Sequence, residues 1–253
     1  LVRQVIEDRA AFLLLAGDIY DGAQRGMRAQ FRVRDGLKRL AAAGVRVLMI
    51  HGNHDPLDGW SAIRSWPDGV HVFGSREVES VAIEHDGTPL ATVYGISYAT
   101  ARCTENLARR FPRPETLGLH IALLHCNLEG NTDHESYAPC TLDDLTTRGM
   151  DYWALGHVHL RQVLHERSPW IVYPGNLQGR SPKPSERGAK GAYRVPVIDG
   201  VIQEPEFVAL DRVRFVGLEM DVTQAEDVDE VRQQLAEAAT QVLREHEGRT
   251  LLV

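Results

Sequence analysis

The 253-residue sequence has little cysteine: only Cys103, Cys126 and Cys140, which lie far apart. An odd and scattered set suits neither a disulfide framework nor a zinc knuckle, so we expect reduced thiols in a cytoplasmic protein. The sequence also lacks any apolar run near the ~20 residues of a membrane span. Its first residues do not have the layout of a signal peptide. These absences argue against a disulfide-rich secreted protein and predict no membrane association.

An excess of positive charge is missing as well. The chain has 28 lysines and arginines against 35 aspartates and glutamates, for a net charge of −7. The surface as a whole is therefore not expected to attract polyanions. The length allows one large α/β domain, or such a domain with an appendage.

Four apolar runs end abruptly in polar residues, which is the pattern of buried strands that deliver side chains to the carboxyl edge of a sheet. The residues that follow these runs are Gly17-Asp18 and Asp21, Gly52-Asn53-His54-Asp55, His125, and Gly156-His157-Val158-His159. Aspartate, asparagine and histidine offer oxygen and imidazole ligands. Such a set suits a divalent metal site for hydrolysis.

These motifs, Gly-Asp-x-x-Asp, Gly-Asn-His-Asp, a lone histidine after an apolar strand and Gly-His-x-His, resemble those of the calcineurin-like metallophosphoesterase superfamily in order and spacing. The resemblance implies an α/β fold, namely a layered α/β/β/α sandwich. It also implies two divalent metal ions, with Mn(II) favoured over Fe(II), Zn(II) or Co(II). A ligand set without cysteine suits the same metals.

The resemblance assigns the metal ligands residue by residue. Asp18 would bridge the two ions, Asn53, His125 and His157 would complete the second ion, and His159 would belong to the first. On an extended segment, residues i and i+2 face the same side, so His157 and His159 can reach one centre.

Three further residues are catalytic candidates by the same resemblance. His54 would contact the scissile phosphate and protonate the leaving group. We expect Asp55 to hold the tautomer of His54. Asp21 lies where related nucleases have a histidine or an aspartate. His134 is expected to be structural, although it lies in a long polar loop that could overhang the site.

Residues 120–191 more narrowly resemble the SbcD-like DNA-repair exonucleases, especially their YhaO-type branch. The stretches that carry this likeness are residues 137–140, 151–159, 173–180 and 186–191. The likeness implies metal-dependent exonuclease or endonuclease cleavage of DNA in DNA repair. It also implies an SMC-like ATPase as partner and a nucleoid-associated location in the cytoplasm, and a homodimer is left open.

Charge favours the same function. Residues 160–195 carry seven basic residues against two acidic ones, which gives +5 in an otherwise acidic chain. Such a stretch beside the Gly-His-x-His motif could hold a DNA backbone. The candidate DNA-binding residues are Arg180, Lys183, Arg187 and Lys190. A basic loop without a ligand is the alternative.

We place a metallophosphoesterase (nuclease) domain at residues 1–210 and the start of a small α+β capping domain at residues 211–253. The second segment reads as strand, helix, strand, with a capping box at Thr223 and Glu226 that opens the helix. Both ends of the chain look cut, and the family's first motif, Asp-x-His, is not in the sequence. We therefore expect a fragment of a longer protein, which could itself be inactive.

Two other functions stay open at this point. A phosphatase or phosphodiesterase of the same superfamily could act on small substrates. A non-catalytic subunit that binds DNA or an ATPase would also fit, because half of the ligands of the first metal are absent.

Overall fold

Two β-sheets pack face to face at the centre of the fold. The structure, a computed structural model, describes residues 1–22, 26–85, 87–128, 137–246 and 250–252. The smaller sheet contains three parallel strands in the order β1-β2-β3. These are β1 (Phe12–Ala16), β2 (Arg46–Ile50) and β3 (Val70–Val72).

The larger sheet has six strands in the order β4-β5-β6-β7-β9-β8. They are β4 (Glu79–His85), β5 (Thr88–Gly95), β6 (His120–His125), β7 (Tyr152–Gly156), β8 (Gln162–His165) and β9 (Trp170–Tyr173). The four inner strands run parallel, and β4 and β8 pair antiparallel at the two edges. The inner strands therefore bring their carboxyl ends to one edge.

Alternation along the strands divides the core into three layers. In β6, Ile121 and Leu123 pack against β2 in the layer between the sheets, whereas Ala122 and Leu124 face the outer side of the larger sheet. Val47 of β2 faces the helices on the smaller sheet. Those helices are α1 (Val2–Glu7) and α2 (Met27–Ala42), and α3 (Leu142–Thr146) covers the other side. The predicted α/β/β/α sandwich is confirmed.

Helix α3 begins as its sequence predicts. Thr141 accepts a hydrogen bond from the backbone N–H of Asp144, and the Asp144 side chain accepts from the backbone N–H of Thr141, which makes a capping box. Residues 60–66, whose aromatic spacing fits a short helix, instead form bends and irregular backbone. Their backbone follows partners outside the segment, since Gln30 accepts from the N–H of Ala62.

The remaining strands follow the larger sheet along the chain. They are β10 (Gly191–Arg194), β11 (Val197–Ile198), β12 (Val201–Ile202), β13 (Glu206–Ala209), β14 (Arg214–Val216) and β15 (Thr250–Leu252). Strand β10 pairs with β13, and β11 pairs with β12 across a turn at Asp199 and Gly200, both with positive φ.

The predicted strand-helix-strand segment forms within residues 211–253. Strands β14 and β15 are parallel and flank α4 (Val228–Glu245). The predicted capping box at Thr223 and Glu226 is wrong, because Asp227 caps α4 by accepting from the N–H of Glu230 at 2.9 Å. Thr223 donates to Asp221 instead. The domain boundary near residue 211 stays a prediction. None of the helices in the described ranges has the length and apolarity to cross a bilayer.

Candidate metal centre

Four of the predicted ligands lie at the edge where the parallel strands of both sheets end. Asp18 follows β1, Asn53 follows β2, His125 ends β6 and His157 follows β7. Each sheet contributes two of these residues, so the group spans the joint between the sheets. Glycines allow this approach, because a Cβ at Gly52 would collide with the Asp18 carboxylate and the His125 ring.

The side chains of the four residues meet at hydrogen-bond distances. Nε2 of His125 lies 3.2 Å from Oδ2 of Asp18 and 3.0 Å from Oδ1 of Asn53. Nδ1 of His157 lies 3.2 Å from the same asparagine oxygen. Ligand atoms of Asp18, His125 and His157 all lie within 4.8 Å of one another. The structure thus brings Asp18, Asn53, His125 and His157 together, and their role as metal ligands stays a prediction.

The tautomer of His125 follows from its other ring nitrogen. Nδ1 lies 2.7 Å from the carbonyl oxygen of Ala16, which can only accept, so Nδ1 carries the hydrogen. In the neutral ring, the Nε2 lone pair then faces the acceptor oxygens of Asp18 and Asn53. Converging acceptors of this kind fit a cation, and a backbone carbonyl that fixes a histidine ring is typical of metal sites.

The ionisation of Asp18 and His125 is linked. Burial opposes ionisation of Asp18, but the charge and hydrogen bond of His125 outweigh it and lower the pKa of Asp18 to about 2. Burial alone would lower the pKa of His125, whereas the Asp18 carboxylate raises it, and the net change is upward. A proton and a metal ion would therefore compete for this nitrogen.

Asp55 is fully buried and joins the loops after β1 and β2. Its carboxylate accepts from the backbone N–H groups of Asp18 at 3.0 Å, Ile19 at 2.9 Å and Gly52 at 2.7 Å. These bonds hold Asp18 at a φ of +51°, an uncommon conformation for a residue other than glycine. The prediction that Asp55 orients His54 is corrected, because its oxygens face these backbone groups.

Asp21 is the carboxylate beside His54. Its Oδ1 lies 3.5 Å from Nδ1 of His54, and its Oδ2 pairs with the Arg180 guanidinium. That hydrogen bond lowers the pKa of Asp21. His54 is exposed, and its backbone N–H donates to Oδ1 of Asp18 at 2.8 Å. His54, Asp21 and Arg180 thus form an accessible group at the rim of the centre.

His159 lies outside the group formed by Asp18, His125 and His157 in the part of the chain that the structure describes. Its Nδ1 lies 2.7 Å from Oε1 of Glu186. Burial raises the pKa of Glu186, but hydrogen bonds from Asn176 and His159 outweigh it and lower the pKa. No sequence motif indicated a role for Glu186, although it is one of only two acidic residues within residues 160–195.

The basic candidates divide into surface residues and one buried residue. Arg180, Lys183 and Arg187 are exposed. Lys190 is only 3% exposed, and its Nζ donates to the carbonyl oxygens of His159 at 2.8 Å and Ser185 at 2.6 Å. The prediction that Lys190 binds DNA is corrected, because its ammonium group is directed into the protein. His134 lies outside the described residues.

Comparison with known proteins finds a matching family model and several similar proteins. A family model described as calcineurin-like phosphoesterase matches residues 1–161. The uncharacterized metallophosphoesterase YhaO of Bacillus subtilis is 41% identical over 229 residues, which cover 90% of this chain and 55% of that protein.

Two more distant relatives carry a more informative name, DNA double-strand break repair protein Mre11. The protein of Sulfurisphaera tokodaii is 29% identical over 205 residues, which cover 76% of this chain and 50% of that protein. The protein of Methanopyrus kandleri is 28% identical over 241 residues, covering 83% and 50%. The chain thus spans about half the length of these curated relatives.

Proposed function

The chain belongs to the calcineurin-like phosphoesterase family, and from this membership we propose that it hydrolyses phosphodiester bonds of DNA with divalent metal ions. One observation carries the proposal. Nε2 of His125 lies within 3.2 Å of the Asp18 carboxylate and of the Asn53 amide oxygen. Three acceptor atoms therefore converge on one point. Family membership implies divalent metal ions, and this donor set fits them.

Two divalent ions bound there would supply a nucleophile at neutral pH and neutralise charge on the phosphate. The remaining contributions come from side chains on this chain. Asp18 would serve both ions as a carboxylate ligand. Its Oδ2 lies 3.2 Å from Nε2 of His125, and its Oδ1 accepts from the backbone N–H of His54. The imidazole of His54, exposed beside Asp18, donates a proton to the leaving oxygen. Asp21 beside Nδ1 orients that ring.

We propose Mn(II) as the working metal. The ligands gathered in the described residues offer oxygen and imidazole nitrogen, and none of the gathered ligand atoms is a thiolate. Such ligands suit Mn(II), which the family resemblance favours, while Fe(II), Zn(II) and Co(II) bind comparable sets. Activity restored by each metal in turn, after removal with a chelator, would rank them.

DNA is the proposed substrate for two reasons. Relatives that cover 76% or more of this chain are named as DNA double-strand break repair proteins. In addition, Arg180, Lys183 and Arg187 are exposed in the segment that follows the metal-site motif, and Arg180 lies in the same rim group as His54. Basic side chains beside a hydrolytic centre would hold a phosphate backbone in an acidic protein.

The test combines Mn(II) calorimetry with cleavage of linear duplex DNA, and bis(p-nitrophenyl) phosphate serves as a small diester. We expect DNA cleavage that requires Mn(II) and is abolished by a chelator. Asn53→Ala should lose both metal affinity and cleavage. His54→Gln should lose cleavage and keep metal binding. Asp58→Asn, an exposed change in the same loop, is the matched control.

Three other outcomes of these assays would contradict part or all of the proposed function. Hydrolysis of the small diester without cleavage of DNA would contradict the DNA substrate and favour a small-substrate phosphodiesterase. Metal binding without hydrolysis of either compound would favour a non-catalytic subunit. Absence of metal binding would contradict the proposal as a whole.

We also propose a DNA-repair role with an SMC-like ATPase as partner, and a homodimer. An exposed apolar group beside α2 is suited to a second copy. Met27 is 59% exposed and Trp60 is 62% exposed, and the Gln30 bond to the N–H of Ala62 brings their segments together. Sedimentation of the wild type and of Trp60→Ser tests the homodimer, and co-purification tests the ATPase.

A further inference from the structure

A buried carboxylate contacts His159, the predicted metal ligand that lies outside the group of Asp18, His125 and His157 in the described residues. Glu186 is only 7% exposed, and its Oε1 lies 2.7 Å from Nδ1 of His159. Its Oε2 accepts from Nδ2 of Asn176 at 2.8 Å and from the backbone N–H of Arg180 at 3.2 Å. Three donors converge on a carboxylate with almost no access to solvent. Its position is therefore fixed from several directions.

The contact decides which ring nitrogen of His159 can bind a metal. A carboxylate oxygen only accepts, so the hydrogen of the neutral ring lies on Nδ1 and the lone pair on Nε2. A metal binds the nitrogen that has no hydrogen, which makes Nε2 the ligand atom of His159. His125 is fixed in the same sense by the carbonyl of Ala16. His157, by contrast, turns Nδ1 toward Asn53.

The backbone of His159 is held from the same segment. The buried ammonium group of Lys190 donates to its carbonyl oxygen at 2.8 Å. Gly175 packs closely against that oxygen, since a Cβ there would lie 2.7 Å from it. Residues 175–190 thus fix both the main chain and the ring of His159.

We propose that Glu186 is a positioning residue that sets the tautomer and orientation of His159, so that Nε2 faces the metal centre. This inference rests on the proposed function in one respect, which is that His159 holds a metal ion. The basic stretch, residues 160–195, would then position a metal ligand in addition to contacting a phosphate backbone. Partners of this kind are known to change metal affinity about 10- to 100-fold.

The first measurement needs neither metal nor substrate. Long-range ¹H–¹⁵N correlation spectra of the histidine rings distinguish the two neutral tautomers, and His159→Asn identifies the signals of His159. We expect the Nδ1–H form in the wild type at pH 8. In Glu186→Ala the ring should move to the Nε2–H form that free histidine prefers. Glu186→Gln, which keeps the shape of the side chain, should give a mixture.

The second measurement is Mn(II) calorimetry on the same proteins. The ion of His159 is the one whose binding His159→Asn removes. We expect Glu186→Ala to weaken that ion about 10- to 100-fold, and to leave the ion at Asp18, Asn53, His125 and His157 within a factor of two. Asp211→Asn is the matched control, because Asp211 is a buried carboxylate that pairs with Arg214 instead of a histidine.

The outcomes separate this inference from the proposed function. An unchanged His159 tautomer in both Glu186 variants, or an unchanged affinity for its ion, would overturn the role of Glu186. Loss of the tautomer and of affinity together supports it, even if the protein cleaves no DNA. If Glu186→Ala unfolds, as circular dichroism would show, the isosteric Glu186→Gln decides by the same two readouts.

Discussion

At the scale of single residues, side chains at strand ends were predictable and their supporting partners were not. Asp18, Asn53, His125 and His157 follow apolar runs, and the carboxyl ends of parallel strands share one edge. The contacts of Asp55 and Glu186 depend on segments far away in the sequence. Asp55 receives the amides of a loop more than thirty residues earlier, and no local pattern encodes such a pairing.

Asp55 gives the first residue-scale prediction. In Asp55→Asn the amide NH₂ group must face one of the three backbone N–H donors, which leaves a buried donor without an acceptor. We expect the free energy of unfolding to fall by about 3 kcal/mol. Mn(II) affinity should fall as well, because the loops of Asp18 and Asn53 lose their link. Urea denaturation and calorimetry measure both.

The control for this change is Asp58→Asn in the same loop. Asp58 is exposed, so its effect on unfolding should stay within about 0.5 kcal/mol. Equal effects of the two variants would show that Asp55 does not join the two loops.

At the scale of elements, local sequence patterns predicted a helix start correctly where the hydrogen-bond partners lie close together in the sequence. Thr141 and Asp144 cap α3 as predicted, since both lie within one turn. The helix that the aromatic spacing at residues 60–66 predicts does not form, and this segment is held instead by Gln30 of α2, which accepts from the Ser61 hydroxyl and from the N–H of Ala62. The capping box at Thr223 failed because Asp227, four residues later, is a competing cap.

Helix α3 gives a prediction with a pH dependence. Burial opposes ionisation of Asp144, but hydrogen bonds from Arg109, Thr141 and Asn106 outweigh it and lower its pKa strongly. A lowered folded-state pKa adds stability above the unfolded-state pKa of about 3.9, and this contribution is lost as the pH falls below that value toward the folded-state pKa. Asp144→Asn should therefore lower the free energy of unfolding by about 2 kcal/mol at pH 7, and by less at pH 3.

Asp143→Asn is the matched control, because Asp143 is an exposed neighbour in the same turn. Urea denaturation at the two pH values gives the comparison. A difference between wild type and Asp144→Asn that stays the same at pH 7 and pH 3 would exclude the charged form as its source.

The segment after β9 gives a prediction about DNA. Replacing Arg180, Lys183 and Arg187 by glutamine should weaken DNA binding and reduce the slope of log affinity against log salt by up to about 3. Each side chain that contacts a phosphate contributes about one counterion to that slope. Fluorescence anisotropy with labelled duplex DNA at several salt concentrations measures it.

A triple variant of exposed basic residues near the opposite ends of the strands is the control. Arg9 precedes β1, and Lys38 and Arg39 lie near the end of α2 that leads into β2. Their replacement by glutamine changes the net charge equally. Equal losses of slope would mean that DNA responds to total charge and not to this segment.

At the scale of the whole molecule, the candidate site joins two sheets that share no hydrogen-bonded strand pair in the described ranges. Asp18 and Asn53 belong to the smaller sheet, and His125 and His157 to the larger. The layered order of sheets and helices was predictable from the family resemblance, and the buried parallel strands were predictable from their apolar runs. The distances across the joint were not, because they depend on how the two sheets pack.

This arrangement predicts that metal binding stabilises the whole fold. An ion held by residues from both sheets binds the folded protein and has no comparable site in the unfolded chain. At a free concentration of 100 times its dissociation constant it should add about 2.7 kcal/mol, which raises the melting temperature by roughly 5–10 °C for a chain of this size. Asn53→Ala should abolish the increase.

His159→Ala should keep most of the increase in melting temperature, since His159 lies outside the group of Asp18, His125 and His157 in the described part of the chain. Differential scanning calorimetry with Mn(II), and with Mg(II) as a second cation, measures these shifts. If both variants lose the increase equally, the ion is held jointly by His159 and the group at the joint, and the division into two ions drawn from the sequence is wrong.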